Sequence, residues 1–514
     1  MVMHVARLVK IIIVFLVLLL ASNTLMSLSK ISNDTVGLAI ASSWCIERGI
    51  NTSAARCLDL LNSSKLSFIQ GFALALFLFT IALTVIKMEW RVAAAMLAIA
   101  VLIIIDASPP QYVLSSVQWN LILFLVGTMT LAGLLREIGV FRFLAIGVLR
   151  VSRGSAFKLI LLIAILAYAL AAALDEVTSI VYVAMLVLEL ARILQVDVVP
   201  LLILSVLATN TGSSALPIGN PIGVYLLFRT NISISLFIRN SLPLSLLNLA
   251  VLILVFSILE RIYIGELNGS IKEHQDRINK YLTRYLVEVE VEDARMRRIR
   301  FGLSVLSVFI ITVALNDYIV EFLSRLAGSE VDPHAFLSFI PYVFILLLTL
   351  VVPMEEVSRL VEKSVEWSSI LFFIFLFMLS HMLTYTGAMS KLAYLITRLA
   401  STSSIILVAA MLFTSAGLSS VLDNLSLVVT LTPVAILLNQ LGIASISLYF
   451  ALLFGGVFGG NYTPVGSTAN IVAVGLAEKR KIRITWSSWL KLALVSTTIQ
   501  ILVALLYLYF FIVS

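Results

Sequence analysis

The sequence predicts an all-α polytopic membrane protein built of two inverted repeats, each with a re-entrant helical hairpin and a broken transmembrane helix, about eleven spans in all. Three observations predict it. The 514-residue chain is 61% hydrophobic and 12% charged, whereas soluble domains carry about 25% charged residues, so its solvent is a bilayer. Two polar stretches, ATNTGSSALPIGNPIGV at 208–224 and GGVFGGNYTPVGSTANIV at 455–472, interrupt apolar spans in opposite halves. The two halves also match each other at one constant offset.

At roughly 20 residues per crossing the apolar runs use up nearly the whole chain, and no soluble catalytic domain is left over. The formal charge of +7 reports Lys- and Arg-rich cytoplasmic loops and gives no reason to expect nucleic acid. Cys45 and Cys57 share one polar loop; an extracytoplasmic disulfide and two free thiols both fit. His4, His274, His334 and His381 are scattered, without the spacing of zinc ligands. No cofactor is expected beyond a coupling ion.

Taken in order, Arg7 and Lys10 precede an apolar run at 11–20, a pattern shared by a first transmembrane helix and a cleaved secretory signal. Either one puts the next segment, a polar loop at 27–67 with sequon-like triplets at Asn33, Asn51 and Asn62, outside. Residues 1–67 thus stand apart from a first transport repeat at 68–260. Spans two and three occupy 68–86 and 92–106, and span four runs from 117 to the basic segment 136–158. Residues 159–191 then form two apolar arms of about 15 residues around the centre LDEVTS. At 1.5 Å per residue each arm is too short for the ~30 Å hydrocarbon core, which predicts a re-entrant hairpin rather than one long tilted helix. A broken helix follows at 200–228, and a sixth span at 242–259. Residues 261–300 hold 17 Lys, Arg, His, Asp and Glu of mixed sign and read as a cytoplasmic linker, partly helical. Spans seven and eight cover 301–320 and 335–352 and open the second transport repeat, 301–514.

There the chain repeats itself. Val365, Trp367, Ile370, Phe372, Gly387, Leu392, Arg398, Leu422 and Asp423 match Val117, Trp119, Ile122, Phe124, Gly139, Leu144, Arg150, Leu174 and Asp175, always 248 residues apart. The second hairpin is therefore 404–438 with its tip at LDNLS, the second broken helix 448–476, and the last span 489–513. Placing the N-terminus and the basic loops inside collects 26 of the 35 Lys and Arg, the arrangement favoured in membranes. It puts the C-terminus outside and makes the two hairpins enter from opposite faces, so the repeats are inverted, as alternating access about one central site requires.

The chemistry concentrates at the tips and breaks. A broken membrane helix leaves backbone groups unpaired and survives only where it is buried in protein or lines a cavity; two such breaks in matching positions point to a transporter's midplane site. Asp175, Glu176 and Asp423 are the carboxylates of the hairpin tips. Each costs about 2.5–3.5 kcal/mol near a helix centre on the insertion scale and must face water, an ion or a partner. A Na⁺ held by Asp175, Asn210, Asp423 and Asn461, or a proton taken up by one acid during the cycle, would satisfy them. Capping of the following helices is compatible with both. Thr178 beside the first tip, Asn210, Thr211, Gly212, Ser213, Ser214 and Asn220 in the first break, and Asn461, Thr463, Ser467, Thr468 and Asn470 in the second add neutral donors and acceptors. Half-helix N-termini add N–H groups, while back-bonding to its own helix is the alternative use of each hydroxyl. No Lys or Arg lies in either tip or break, which favours a small neutral or weakly charged solute.

Tips reading LDE and LDN, followed by IGNP and by GGNYTPVGSTAN with AEKR just after it, resemble the ion transporter superfamily, citrate transporter-like proteins, and within it the arsenite permease and NhaD-type antiporter branch. The resemblance covers most of the chain from about residue 68 onward. It implies the inverted-repeat fold, assembly as a homodimer, and binding of substrate and coupling ion at Asp175, Glu176, Asn210, Thr211, Asp423, Asn424, Asn461 and Thr463. The chain departs from the family at Glu176, where the family has Asn, and at IGNPIG, where it has IGDPPN, so Asn220 and Gly223 replace Asp and Asn. The Ser-Asn-Thr tips of dicarboxylate symporters are missing, which argues against a di- or tricarboxylate. The resulting expectation is a secondary active transporter of the arsenite permease type, exchanging a small oxyanion or metalloid for H⁺ or Na⁺, with Na⁺/H⁺ antiport as the alternative and Na⁺-coupled carboxylate transport behind both. A membrane-embedded enzyme is not expected, since HExxH, GxSxG and clustered His are all lacking.

Overall fold

In a bilayer every backbone N–H and C=O must be paired within the protein, which leaves helices and closed barrels as spanning elements. The computed structural model describes residues 2–152, 154–290, 293–399 and 404–513, and among them the chain is helical with no strand. The first four helices are α1 (Val2–Leu28), α2 (Thr35–Glu47), α3 (Ala54–Asn62) and α4 (Ser64–Ile86). α1 extends well beyond the apolar run at 11–20 and packs along α4. The segment expected to be a polar loop is instead the helix pair α2–α3. Asp34 and Ser53 cap the two N-termini, and Cys45–Cys57 joins the pair in a disulfide, which decides between the two sequence alternatives. Ile31, Ile40, Trp44, Leu58 and Leu61 give this subdomain a small core of its own.

The first repeat comprises α5 (Arg91–Ile104), α6 (Pro110–Ser115), α7 (Trp119–Ile138), α8 (Val140–Ser152), α9 (Ala156–Ala173), α10 (Glu176–Leu194), α11 (Val199–Ser213), α12 (Pro221–Thr230) and α13 (Ile234–Leu259). The linker forms α14 (Arg261–Glu273) and α15 (Gln275–Glu290), separated by a turn at His274, and its last described residues run into the next helix. α16 (Asp293–Ala314) and α17 (Asn316–Ala327) follow, bent by 77° at Leu315; the seventh span therefore ends at 314 rather than 320. α17 is strongly amphipathic, the pattern of a helix lying in the interface. The second repeat goes on with α18 (Pro333–Leu348), α19 (Met354–Ser364), α20 (Trp367–Thr386), α21 (Ala388–Leu399), α22 (Ser404–Ser419), α23 (Asn424–Gln440), α24 (Ser447–Gly459), α25 (Thr468–Lys479) and α26 (Trp486–Leu508).

The offset of 248 holds at the level of structure. Adding it to the first residues of α7, α8, α9, α10 and α11 gives the first residues of α20, α21, α22, α23 and α24. Gly139 and Gly387, one offset apart, both stop their helices at positive φ, 95° and 85°, where a side chain would be strained. Among the described residues seven helices, α4, α7, α9, α10, α13, α20 and α26, are long and apolar enough to cross alone; α9 and α10 are the arms of the first hairpin, which leaves five. With α1, α5, α16, α18 and the two broken helices α11–α12 and α24–α25 they make about eleven crossings.

The hairpins do not cross. Their arms are longer than expected, 18 and 19 residues in α9 and α10, and at 1.5 Å per residue length alone no longer forces re-entry. What does is that the two tips, Asp175 and Asp423, line one cavity while their bases are covered by different parts of the chain. α14 closes the base of the first hairpin, where Ser270 hydrogen-bonds the Leu194 carbonyl and the Asn268 side chain accepts from Ala156 N–H. Leu437 and Leu441, at the base of the second, pack on the disulfide-linked subdomain. Buried Lys391 of α21 ties that face together, donating to the Met26 carbonyl of α1 (2.7 Å) and the Ser67 hydroxyl (2.8 Å). The first halves of the broken helices, α11 and α24, are buried all round, as helices without a polar face must be, and place both breaks at the centre.

Candidate functional site

Both tips are built alike. Asp175 is the N-cap of α10 and accepts from Thr178 N–H at 2.7 Å. Asp423 is the N-cap of α23 and accepts from the Ser426 N–H and hydroxyl at 3.2 and 3.1 Å. Each carboxylate thus satisfies orphan donors at a helix start and still faces the cavity. Glu176, only 7% exposed, lies beside them, and its Oε2 has no hydrogen-bond partner. An ionised carboxylate in that state is strongly destabilised, so it must take up a proton or meet a cation.

The cavity has about 50 Å³ of free space, room for an ion or a solute of a few atoms. Of the residues expected from sequence it is lined by Asp175, Glu176, Asn220, Asp423, Asn424 and Thr468. With the Asn424 amide turned so that its nitrogen faces the surrounding acceptors, it donates to the Gly466 carbonyl at 2.8 Å and ties its tip to the second break. No group of three His, Cys, Asp or Glu that could hold a metal ion is found among the described residues, so a Na⁺ here would need amide and carbonyl oxygens beside the carboxylates to complete its shell.

The cavity also contains two charged residues that sequence reasoning missed, Arg91 and Glu366. Arg91, 8% exposed, donates to the Ser369 hydroxyl at 2.7 Å, and that hydroxyl donates to Glu366 Oε2 at 2.7 Å. The guanidinium lies 5.5 Å from the Phe372 ring, a cation–π contact. In the linear sequence Arg91 stands with Lys87 as an ordinary loop cation. The one available signal for Glu366 is its place in the repeat, directly before Trp367, where the first half has Gln118 before Trp119.

The remaining expected residues do not line the cavity. Asn210, Asn461, Ser467 and Asn470 instead form a knot where the two breaks touch. Asn210 Nδ2 reaches Asn461 Oδ1 (2.7 Å), Asn470 Oδ1 (2.8 Å) and Ser467 Oγ (3.1 Å). Asn470 Nδ2 caps the Gly460 and Thr463 carbonyls at 2.9 and 2.7 Å. Of the suggested Na⁺ set, then, Asp175 and Asp423 face the cavity while Asn210 and Asn461 bind each other. Thr211 back-bonds to Leu207 (2.7 Å) and accepts from Gln500 (3.0 Å), Thr463 bonds the Ser420 carbonyl (2.5 Å), and Thr178 serves Asp175 through its N–H. Gly212 is there for space: a Cβ would stand 2.2 Å from the Tyr168 carbonyl oxygen, so only glycine lets α11 close against α9.

At the level of the family, the citrate transporter-like resemblance read in the sequence is borne out by comparison with known proteins. The family described as citrate transporter matches residues 74–455 and, in an overlapping second match, 333–514. An uncharacterized transporter of Mycobacterium tuberculosis is 29% identical over 77% of this chain and 86% of its own length. The human P protein is 23% identical over 83% of this chain and 58% of its own length. Among solved structures, the Alcanivorax borkumensis YdaH transporter, described as having an unusual topology, covers 77% of this chain and 86% of its own at 14% identity with a TM-score of 0.50, a likeness of fold. The chain is a multi-pass membrane transporter, and with a match spanning 74–455 it belongs to the citrate transporter family.

Proposed function

We propose that the protein is a cation-coupled secondary active transporter in which H⁺ or Na⁺ binds at the tip carboxylates and a small oxyanion or metalloid of the arsenite kind shares the same cavity. The observation that carries this reading is that the tips of the two hairpins bring Asp175, Glu176 and Asp423 to one cavity with about 50 Å³ of free space. Glu176, buried with an unpartnered oxygen, is the natural proton or cation acceptor. Asn220, Asn424 and Thr468 supply neutral hydrogen-bonding groups for the solute, and Arg91 adds the positive charge that the sequence lacked at the tips. The space suits arsenous acid better than a tricarboxylate.

Na⁺/H⁺ antiport remains the second reading, favoured by the charge balance of the lining: four carboxylates, Asp175, Glu176, Glu366 and Asp423, face one guanidinium. Side-by-side flux measurements in proteoliposomes separate the two. Arsenite, Na⁺ and citrate are each offered under an imposed pH or Na⁺ gradient. Arsenite flux driven by either gradient supports the first reading, and Na⁺ flux coupled to H⁺ without arsenite flux supports the second. Citrate flux alone would overturn both. In the proposed orientation the N-terminus and α14–α15 face the cytoplasm, and the molecule works as a homodimer.

A further inference from the structure

A second cavity, about 290 Å³, opens between α6, α12, α20 and α23. It lies on the face of the disulfide-linked subdomain, because Tyr112 in its wall donates to the Glu47 carbonyl at the end of α2 (2.5 Å). Its chemistry differs from that of the tip cavity. Arg229, in the last turn of α12, is the sole charged side chain in the lining, and among the described residues no carboxylate forms an ion pair with it. His381 stacks one ring face on Tyr112, centroids 5.0 Å apart, while its Nε2 is buried without a hydrogen-bond partner. The Gln118 amide completes a set of N–H donors. Just outside, Arg48 lies 4.1 Å from the Tyr385 ring, which itself meets Tyr112 at 5.0 Å. Glu47 is an acid within electrostatic reach of Arg229. The guanidinium of Arg229 in the lining and that of Arg48 just outside it, with an unpartnered imidazole nitrogen below them, repel cations and attract anions.

This chamber and the tip cavity are one helical turn apart. Tyr225 of α12 and Phe377 of α20 line the chamber, while Ile222 and Phe373, three and four residues earlier, line the tip cavity. Between the two spaces Tyr225 and Phe377 stack face to face, 5.4 Å apart and 7° from parallel. We propose that the chamber is a separate binding site for a small monovalent anion, held by Arg229 with His381 and Gln118 before it reaches the tips. Its place on a route to the tips rests on the transport reading; its existence as an anion site does not. An inorganic anion and a short carboxylate share the required chemistry, and the volume leaves room for either with some water.

The test is calorimetric titration of the full chain in lipid nanodiscs with sodium bromide, sodium phosphate or sodium acetate, at fixed Na⁺ with gluconate as the balancing anion. Saturable binding of at least one probe is expected, and the probe that binds tells an inorganic anion from a carboxylate. Arg229→Gln should weaken it at least tenfold, His381→Phe about threefold, and Arg229→Lys less than Arg229→Gln. Arg325→Gln, an exposed cation on α17 that lines neither cavity, should leave the affinity within twofold. No saturable binding, or equal affinity in Arg229→Gln, overturns the proposal. Should Arg229→Gln fail to fold, anomalous scattering from bromide in wild-type crystals decides: a peak beside Arg229 supports the site, and its absence refutes it. A wild-type protein that transports without binding any probe would sink this inference and leave the transport reading intact; binding without any flux would do the reverse.

Discussion

Asn210→Ala tests whether the polar residues of the breaks hold the protein together or hold its solute. In the wild type one amide group reaches Asn461 Oδ1, Asn470 Oδ1 and Ser467 Oγ across the repeat boundary. Without it, Asn470 Oδ1 keeps the Ser467 hydroxyl at 2.7 Å, but Asn461 Oδ1 is left with no donor, and Asn461 Nδ2 has no partner to begin with. One stranded buried oxygen costs about 1–3 kcal/mol, and one lost interhelical hydrogen bond in a membrane protein adds about 0.6 kcal/mol. The expected destabilisation is about 2–3 kcal/mol, read from reversible unfolding of the full chain in mixed micelles. Asn461→Ala introduced on top of it removes the stranded amide and should recover about 1 kcal/mol or more. A loss below about 0.5 kcal/mol, or strict additivity in the pair, would refute a structural knot. Unchanged stability with a raised KM for the transported solute would return Asn210 to the ligands.

Glu176→Gln and Asp423→Asn should each abolish gradient-driven flux while the purified protein stays folded by circular dichroism and gel filtration; wild-type rates in both would remove the tip acids from coupling. Arg91→Gln leaves Glu366 without its cation through Ser369 and should cut flux at least tenfold, with partial recovery in Arg91→Gln/Glu366→Gln; a double variant worse than the single one contradicts the pairing. At the surface, the Tyr394 hydroxyl first, and then the Gly37 N–H, hold the Asp34 carboxyl below its ordinary value. A depressed folded-state value means its contribution is fully present above the unfolded value near 3.9 and is lost as pH falls through the folded one. Melting temperature should therefore fall more steeply below about pH 4 in the wild type than in Asp34→Asn, and parallel curves would contradict this.

The fold was legible because periodic features are local. Apolar length marks spans, Gly and Pro mark breaks, and a gapless offset marks a repeat even where few side chains agree. The tips were legible for a related reason: an acid inside an apolar arm is costly wherever it ends up, so Asp175 and Asp423 announce a site before any partner is known. Partners were not legible. Arg91 reads as a loop cation until α5 sets it against Ser369, and Asn210 reads as a ligand until Asn461 is found across the boundary. The α2–α3 pair was missed because short capped helices joined by a disulfide draw little on the long apolar runs by which membrane spans are recognised. The arm lengths were misjudged because the single cations Lys158 and Arg192 read as the ends of the arms, whereas α9 and α10 run through them and α10 already starts at Glu176 in the tip.

The dissimilar coverings of the hairpin bases bear on how the transport cycle is balanced. The two repeats share their order of elements and, if their outer coverings were also alike, alternating access would give inward-open and outward-open forms of similar weight. One hairpin, however, is braced by a charged helical linker and the other by a disulfide-stapled cap, so the two forms sit at different heights. A ligand moves such an equilibrium only by its difference in affinity for the two forms, and the apparent affinity seen from each side is scaled by how often that side is open. Solute offered on opposite faces of the same oriented vesicle should therefore meet unequal half-saturation, a directional preference originating in the scaffold and not in the cavity.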